Sequence, residues 1–159
     1  MKTKLLLPNQ FKKIGWCLLI PGLIFGLLTL FFELDFEFLK VHVFSIYSSG
    51  SIFGHPTFFE ILKNNITDEL IAILIIIGAI FVALSKEKNE DEFILKNRLD
   101  SLVWAVYINY AILLFCIIFF YDMDFLTVMM INMFTILIFF IIRFYYVLYK
   151  SKKDMSHEK

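Results

Sequence analysis

The chain has 159 residues, of which 60% are hydrophobic and 18% aromatic, and its fifteen basic and fifteen acidic residues cancel to a formal net charge of zero. A soluble domain is nearer half apolar, and the absence of a net basic charge argues against a nucleic-acid partner. Cys17 and Cys116 both lie inside apolar runs, which argues against a disulfide framework and predicts two buried thiols.

The first predicted element is a membrane-spanning helix over residues 14–32, because nineteen residues without a charge can cross roughly 30 Å of hydrocarbon. Lysines before an apolar run are also typical of a signal peptide. This run is long for one, however, and it ends at Glu33 without a small-residue cleavage site. Gly15, Gly22, Gly26 and Thr29 fall on one helix stripe, in which Gly22 and Gly26 form a GxxxG pattern, and such small residues permit close approach of another helix. Pro21 predicts a kink.

Residues 33–66 are predicted to form a small extracytoplasmic cap between the first two spans. Apolar and polar residues alternate over 34–43, which indicates an extended segment. Turns are predicted at 48–51 and 54–56, and TFFEILKNN (57–65) predicts a short amphipathic helix on the membrane surface. The segment is too short for a domain with its own core.

The second predicted span covers residues 67–85. Asn65 and Thr67 can cap its start, and Asp68 and Glu69 suit the positive end of the helix dipole. The letters at Asn65 also match a glycosylation acceptor, a reading that we set aside because the site abuts the membrane. The uninterrupted apolar run is short for a span, so a buried soluble helix is the alternative.

The third and fourth spans are predicted over residues 101–121 and 125–148. The third is expected to belong to a helix that starts in water at Ser85 and passes through a charged connection, residues 86–100, without Gly or Pro. About three residues link the two spans, which forces an antiparallel hairpin. The fold class is therefore all-α, a four-span transmembrane bundle forming a single integral membrane domain over 1–159.

Lysine and arginine counts predict the threading. Residues 1–13, 85–100 and 143–159 hold thirteen of the fifteen basic residues, and the first loop holds only Lys40 and Lys63. The positive-inside rule then places both termini and the charged connection in the cytoplasm.

Few polar side chains enter the spans. Asn109 and Asn132 are candidate intramembrane polar contacts, more typical of interhelical hydrogen bonding than of substrate binding. Arg143 lies near the end of the fourth span, where it can snorkel to the headgroups. The alternative is a structural ion pair with an acid of the connection, Asp91, Glu92 or, favoured by its depth, Asp100.

The charged connection is the candidate docking surface for a cytoplasmic protein partner, through Glu90, Asp91, Glu92 and Phe93. Mixed charge suits selective protein pairing, whereas its acids should repel anionic lipid headgroups. The competing interpretation is a solvated helix with i,i+4 pairs whose apolar side packs on the second and fourth spans.

No catalytic, cofactor-binding or metal-binding residues are predicted. The sequence has no CxxC, HExxH or Gly-rich phosphate loop, and His42, His55 and His157 are scattered. The favoured function is a non-enzymatic regulatory or accessory membrane protein. Alternatives are a transport or channel subunit that works as a homo-oligomer and an intramembrane or lipid-modifying enzyme. Membrane lipid surrounds the chain in each case.

Four segments carry a resemblance, namely PNQFKKIGW (8–16), NNITDE (64–69), EDEFILKNRLDSLVWAVYINY (90–110) and NMFTILIFFIIRFYYVLYK (132–150). Together they resemble a group of small bacterial multi-span membrane proteins to which no activity is assigned. The resemblance covers most of the chain. It implies a bacterial inner membrane and a compact one-domain protein, and it transfers no functional residues.

Overall fold

The computed structural model describes residues 6–32, 39–48, 57–88 and 90–157. Within these ranges the elements are, in order, α1 (Gln10–Phe32), β1 (Lys40–Ser48), β2 (Thr57–Asn65), α2 (Thr67–Leu84), α3 (Glu92–Phe119) and α4 (Asp122–His157). All four helices of the described part are long and apolar enough to cross a membrane. The predicted all-α architecture with four spanning helices is confirmed, and it is that of a multi-pass membrane protein.

The chain divides into two compact units. The first unit contains residues 1–20 and 75–159, and the second contains residues 21–74. The division falls within α1 and within α2, so each of these helices contributes to both units. A single domain over 1–159 stays a prediction, as does the position of the cap outside the membrane.

The second unit contains an antiparallel hairpin of β1 and β2, in which Lys40 lies opposite Asn65 and Ser48 opposite Thr57. The prediction of a helix over 57–65 is therefore wrong. A helix of nine residues is marginal in water, whereas the same residues gain a hydrogen-bonded ladder by pairing with β1. The predicted extended segment is confirmed from Lys40 to Val43. Its earlier residues and most of the predicted turn residues lie outside the described residues.

The predicted start of α2 is confirmed. The Asn65 side-chain oxygen accepts hydrogen bonds from the Thr67 amide at 3.1 Å and from the Thr67 hydroxyl at 2.6 Å. Asp68 and Glu69 occupy the first turn, where the helix dipole favours negative charge. Asn65, the last residue of β2, thus also caps the first turn of α2.

In the first unit, α1 and α2 cross at backbone contact. A Cβ atom at Gly78 would lie 2.6 Å from the backbone nitrogen of Leu19, and one at Gly15 would lie 2.8 Å from that of Val82. Only glycine permits this approach. The sequence placed Gly15 on one small-residue stripe with Gly22 and Gly26, and the predicted close helix approach is confirmed in this unit at Gly15.

Helices α3 and α4 form the predicted antiparallel hairpin. Asn97 contacts Phe144, Trp104 contacts Phe139, and Asn109 contacts Asn132, so the paired residue numbers keep a nearly constant sum. The midpoint of each pair falls at the link of residues 120–121, which joins the two helices. A link this short leaves no other packing for the pair.

The two thiols differ from one another. Cys116 is buried, as predicted, and Cys17 is exposed. The prediction of a buried thiol at Cys17 is wrong, because α1 turns this residue away from its contact with α2. An outward-facing cysteine on an apolar helix is chemically compatible with lipid.

Candidate functional site

Helix α3 begins later than the sequence predicts. The helix starts at Glu92 instead of Ser85, and Asp91 is its N-cap, with extended backbone angles and a carboxylate that accepts the Ile94 amide at 2.9 Å. Asp is among the best N-cap residues because its side chain satisfies a free amide of the first turn. Residues 85–88 and 90–91 are therefore non-helical. We call residues 85–91 the α2–α3 connection, of which the structure does not describe residue 89.

The N-terminal segment is hydrogen-bonded to this connection through residues 7–9, here called the strap. The Leu7 amide donates to the Leu84 carbonyl at 3.0 Å, and the Lys86 amide donates to the Leu7 carbonyl at 2.9 Å. Leu7 and Ser85 thus form a short parallel bridge. The Asn9 side-chain amide adds a bond of 2.6 Å to the Lys86 carbonyl. These bonds use polar backbone groups that the end of α2 would otherwise leave free.

Arg98 holds the connection from the other side. Its Nη1 donates to the Ala83 carbonyl at 2.6 Å, and both terminal nitrogens reach the Ser85 carbonyl at 3.2–3.3 Å. Nη2 also pairs with Glu90 Oε1 at 3.2 Å. The guanidinium carbon lies 4.9 Å from the centre of the Phe144 ring. The Arg98 side chain is only 11% exposed, so it is a buried cation with donors well suited to carbonyl groups.

A row of small residues, three of them polar, begins beside Arg98 on α3. Asn97, Ser101, Ala105 and Asn109 are all buried and recur every four residues, on one helix face. The Asn97 side chain donates to the Phe144 carbonyl at 3.2 Å, and the Ser101 hydroxyl donates to Asn97 at 3.3 Å. This four-residue spacing is visible in the sequence, and it marks the face on which α4 packs.

The two predicted intramembrane amides meet. Asn109 and Asn132 exchange two hydrogen bonds, each 3.3 Å long, between α3 and α4. A reciprocal amide pair satisfies one donor and one acceptor on each side chain. The pair has the geometry of an interhelical contact.

Arg143 does not pair with Asp100, nor with Asp91 or Glu92; the ion pairs found among the described side chains do not include it. Its guanidinium lies 4.9 Å from the centre of the Trp104 ring instead. Side chains on a helix lean toward the helix N-terminus. In an antiparallel pair Arg143 therefore leans toward the interhelical link while Asp100 leans away from it, so the two diverge.

The predicted docking residues separate into two kinds. The Glu90 carboxylate pairs with Arg98 and accepts the Glu87 amide at 2.9 Å, and Asp91 caps α3. Glu92 and Phe93 face outward, and Phe93 is 48% exposed. Two of the four predicted residues thus hold the connection in place, and two remain accessible.

Lys12 of α1 ties this end of the first unit together. Its ammonium bonds both carboxylate oxygens of Glu87, at 2.7 and 2.8 Å, and lies 4.7 Å from the centre of the Tyr145 ring. That ring also packs against Trp16, with centroids 5.6 Å apart. The Tyr145 hydroxyl is buried near Glu87 and Trp16 and makes no hydrogen bond within the described part of the chain.

A cleft of about 630 Å³ opens at this end. We call it the basic cleft, because four lysines line it together with two acids: Lys12, Lys13, Lys88, Lys152, Glu87 and Asp91. Its other walls carry two polar residues, Asn9 and Ser151, and four large apolar ones, Trp16, Phe93, Ile94 and Leu148. The lining of the cleft therefore combines apolar side chains with an excess of positive charge.

No cluster of three or more potential metal ligands occurs among the residues that the structure describes. Comparison of the chain with protein-family models, with curated proteins and with solved structures finds no match.

Proposed function

We propose that the chain is a non-catalytic regulatory or accessory protein of a bacterial inner membrane, which acts through a cytoplasmic protein partner bound at Glu92 and Phe93. The observation that carries this proposal is an exposed aromatic next to an exposed acid at the start of a firmly anchored helix. Exposed large aromatics beside charge are favoured anchors of protein interfaces.

The fixed backbone next to Glu92 and Phe93 supports the proposal. Glu90 and Asp91, which directly precede Glu92, are held by Arg98 and by the first turn of α3. A partner that binds here loses little free energy in ordering the surface, because the backbone is already fixed. The α2–α3 connection thus fixes the position of Glu92 and Phe93, which remain accessible to a partner.

The basic residues support the orientation. The strap, the α2–α3 connection and the last turns of α4 meet in the first unit through the Leu7–Ser85 bridge and the contacts of Lys12 with Glu87 and Tyr145. The segments that meet here belong to the three basic-rich stretches of the sequence. By the positive-inside rule this end is cytoplasmic. The resemblance to small bacterial membrane proteins favours the inner membrane.

Site-specific photo-crosslinking in cells tests the proposal. A photoreactive amino acid at Phe93 should capture one defined protein, and the same protein should copurify with the full chain from membranes. Glu92→Lys should abolish both signals, because it reverses the charge beside the anchor. The matched control is the same photoreactive group at Leu99, a residue of α3 that is 62% exposed.

Capture of the same protein from Phe93 and Leu99 alike would show non-specific labelling and contradict the proposal. Recovery of lipid alone, or of the chain's own helices alone, at Phe93 would also overturn it. The connection would then be structural.

A further inference from the structure

Three lysines of the basic cleft carry free positive charge. Lys13, Lys88 and Lys152 are exposed, and within the described ranges none of them forms an ion pair or a hydrogen bond. They come from α1, the α2–α3 connection and α4, elements that are distant in sequence. Like charges repel, so a fold that gathers three unpaired ammonium groups around one cleft gains stability when an anion enters.

The acids of the cleft offset only part of this charge. Both oxygens of Glu87 are occupied by Lys12, and the Asp91 carboxylate is engaged as the helix cap. Glu90, which could also have repelled an anion, pairs with Arg98. Counted over the whole lining, four lysines face two acids. The expectation that this stretch repels anionic headgroups assumed free carboxylates, but Glu87 and Glu90 are each paired with a cation.

The apolar lining of the cleft indicates that its ligand is a membrane lipid and not a soluble anion. Lys13, Lys88 and Lys152 are exposed, whereas the apolar lining residues Ile94 and Leu148 are buried and Trp16 is half-buried. These three apolar residues lie where the apolar parts of α1, α3 and α4 give way to polar segments, and Trp is enriched at that membrane boundary. A soluble anion makes no favourable contact with apolar side chains. A phospholipid carries a phosphate next to its acyl chains, so it can contact the lysines and the apolar residues together.

We propose that the basic cleft binds the phosphate headgroup of an anionic membrane lipid, with the ammonium groups of Lys13, Lys88 and Lys152 as its ligands. The Ser151 hydroxyl, on the same wall as Lys152, can donate to a further phosphate oxygen. This site goes beyond the protein-docking function, because its ligand is a lipid and its ligating lysines are distinct from Glu92 and Phe93, although Phe93 also lines the cleft.

Thermal unfolding of the purified chain in an uncharged detergent tests the proposal. Added phosphatidylglycerol should raise the melting temperature more than phosphatidylcholine with the same acyl chains, and salt should reduce the difference. The triple variant Lys13→Gln, Lys88→Gln, Lys152→Gln should lose the preference for the anionic lipid, weakening it by more than about tenfold.

The matched control changes three exposed lysines outside the cleft, Lys86→Gln, Lys96→Gln and Lys150→Gln, and should keep the preference. Native mass spectrometry should show one phosphatidylglycerol retained by the wild type and by this control. Equal loss in both triple variants would reduce the effect to net charge and overturn the site. Equal stabilisation by inorganic phosphate would overturn the lipid assignment, as would equal stabilisation by the two lipids.

Discussion

The Arg98 guanidinium donates a hydrogen bond of 2.6 Å to the carbonyl oxygen of Ala83, the second-last residue of α2. A side chain of α3 thus caps the carboxyl end of α2. The carbonyl groups at a helix C-terminus carry partial negative charge, so a buried cation is favourable there. Glu90 balances the charge of Arg98 from the connection.

Replacing Arg98 should therefore destabilise the protein strongly. Arg98→Ala leaves the Glu90 carboxylate, which is 16% exposed, without its cation, and we expect a loss of about 3 kcal/mol. Arg98→Lys keeps the charge but loses the forked donors, so its loss should be intermediate. Unfolding in mixed micelles measures both. The exposed Lys96→Ala on the same helix is the control, and an equal effect from it would contradict the role of Arg98.

The crossing of α1 and α2 predicts an unusual sign for a glycine substitution. Alanine normally stabilises a helix by about 1 kcal/mol relative to glycine. At Gly78 the new Cβ would meet backbone atoms of Leu19 that cannot turn aside, so Gly78→Ala should cost about 1–3 kcal/mol. Ala111→Val, on the exposed side of α3, should change stability little. A more stable Gly78→Ala variant would contradict the close crossing.

A double-mutant cycle on Asn109 and Asn132 should show a measurable coupling. We expect a coupling of about 0.6–1.7 kcal/mol for the two alanine substitutions, the range found for polar contacts between spans. Thr135 is the matched control, because its hydroxyl bonds the Ile131 carbonyl within its own helix. Asn109→Ala and Thr135→Ala should therefore be additive. Additivity of the two Asn substitutions would show that the amide pair contributes nothing.

The position of Arg143 over Trp104 predicts which neighbour matters to it. Arg143→Gln and Trp104→Leu should be coupled by about 0.5–1 kcal/mol, the size of a partly exposed cation–π contact. Arg143→Lys should retain part of the contact, so Arg143→Ala should be the more damaging change. Asp100→Asn should have no effect on any of these variants. A coupling of Asp100 to Arg143 would restore the ion pair and contradict the observed geometry.

The threading can be tested with fusions to reporters that work on one side only. A periplasm-active phosphatase should be active after residue 50 and after residue 121, and a cytoplasm-active fluorescent protein should work after residue 90 and after residue 157. The reason is the strong bias of lysine and arginine toward one side. Phosphatase activity after residue 90 would refute the orientation.

What could be predicted from the sequence was locally determined. The length of each apolar run gave the four helices, and the short link gave the α3–α4 hairpin. The start of α2 followed from capping side chains next to it in the chain. The meeting of Asn109 with Asn132 also followed, because a hairpin fixes which residues of its two helices lie at the same depth.

What could not be predicted depended on partners far away in the chain. Strand β2 needs β1 to be a strand at all, and its own letters fit an amphipathic helix equally well. Arg98 lies in a stretch predicted to be helical from Ser85 onward, and its acceptors at Ala83 and Ser85 are brought to it only by the non-helical turn of the connection. For Arg143 the error lay in direction, since sequence spacing does not tell which way a side chain leans.

The strap between Leu7 and Ser85 has a consequence for the order of assembly. Leu7 and Lys12 are made early in synthesis, but their partners Ser85 and Glu87 emerge from the ribosome only after the first two helices have been made. Until then Leu7 and Lys12 lack the partners that they have in the folded chain. Closure of the strap therefore marks the moment at which the first pair of helices is complete, and a chain interrupted earlier would stay open at that end.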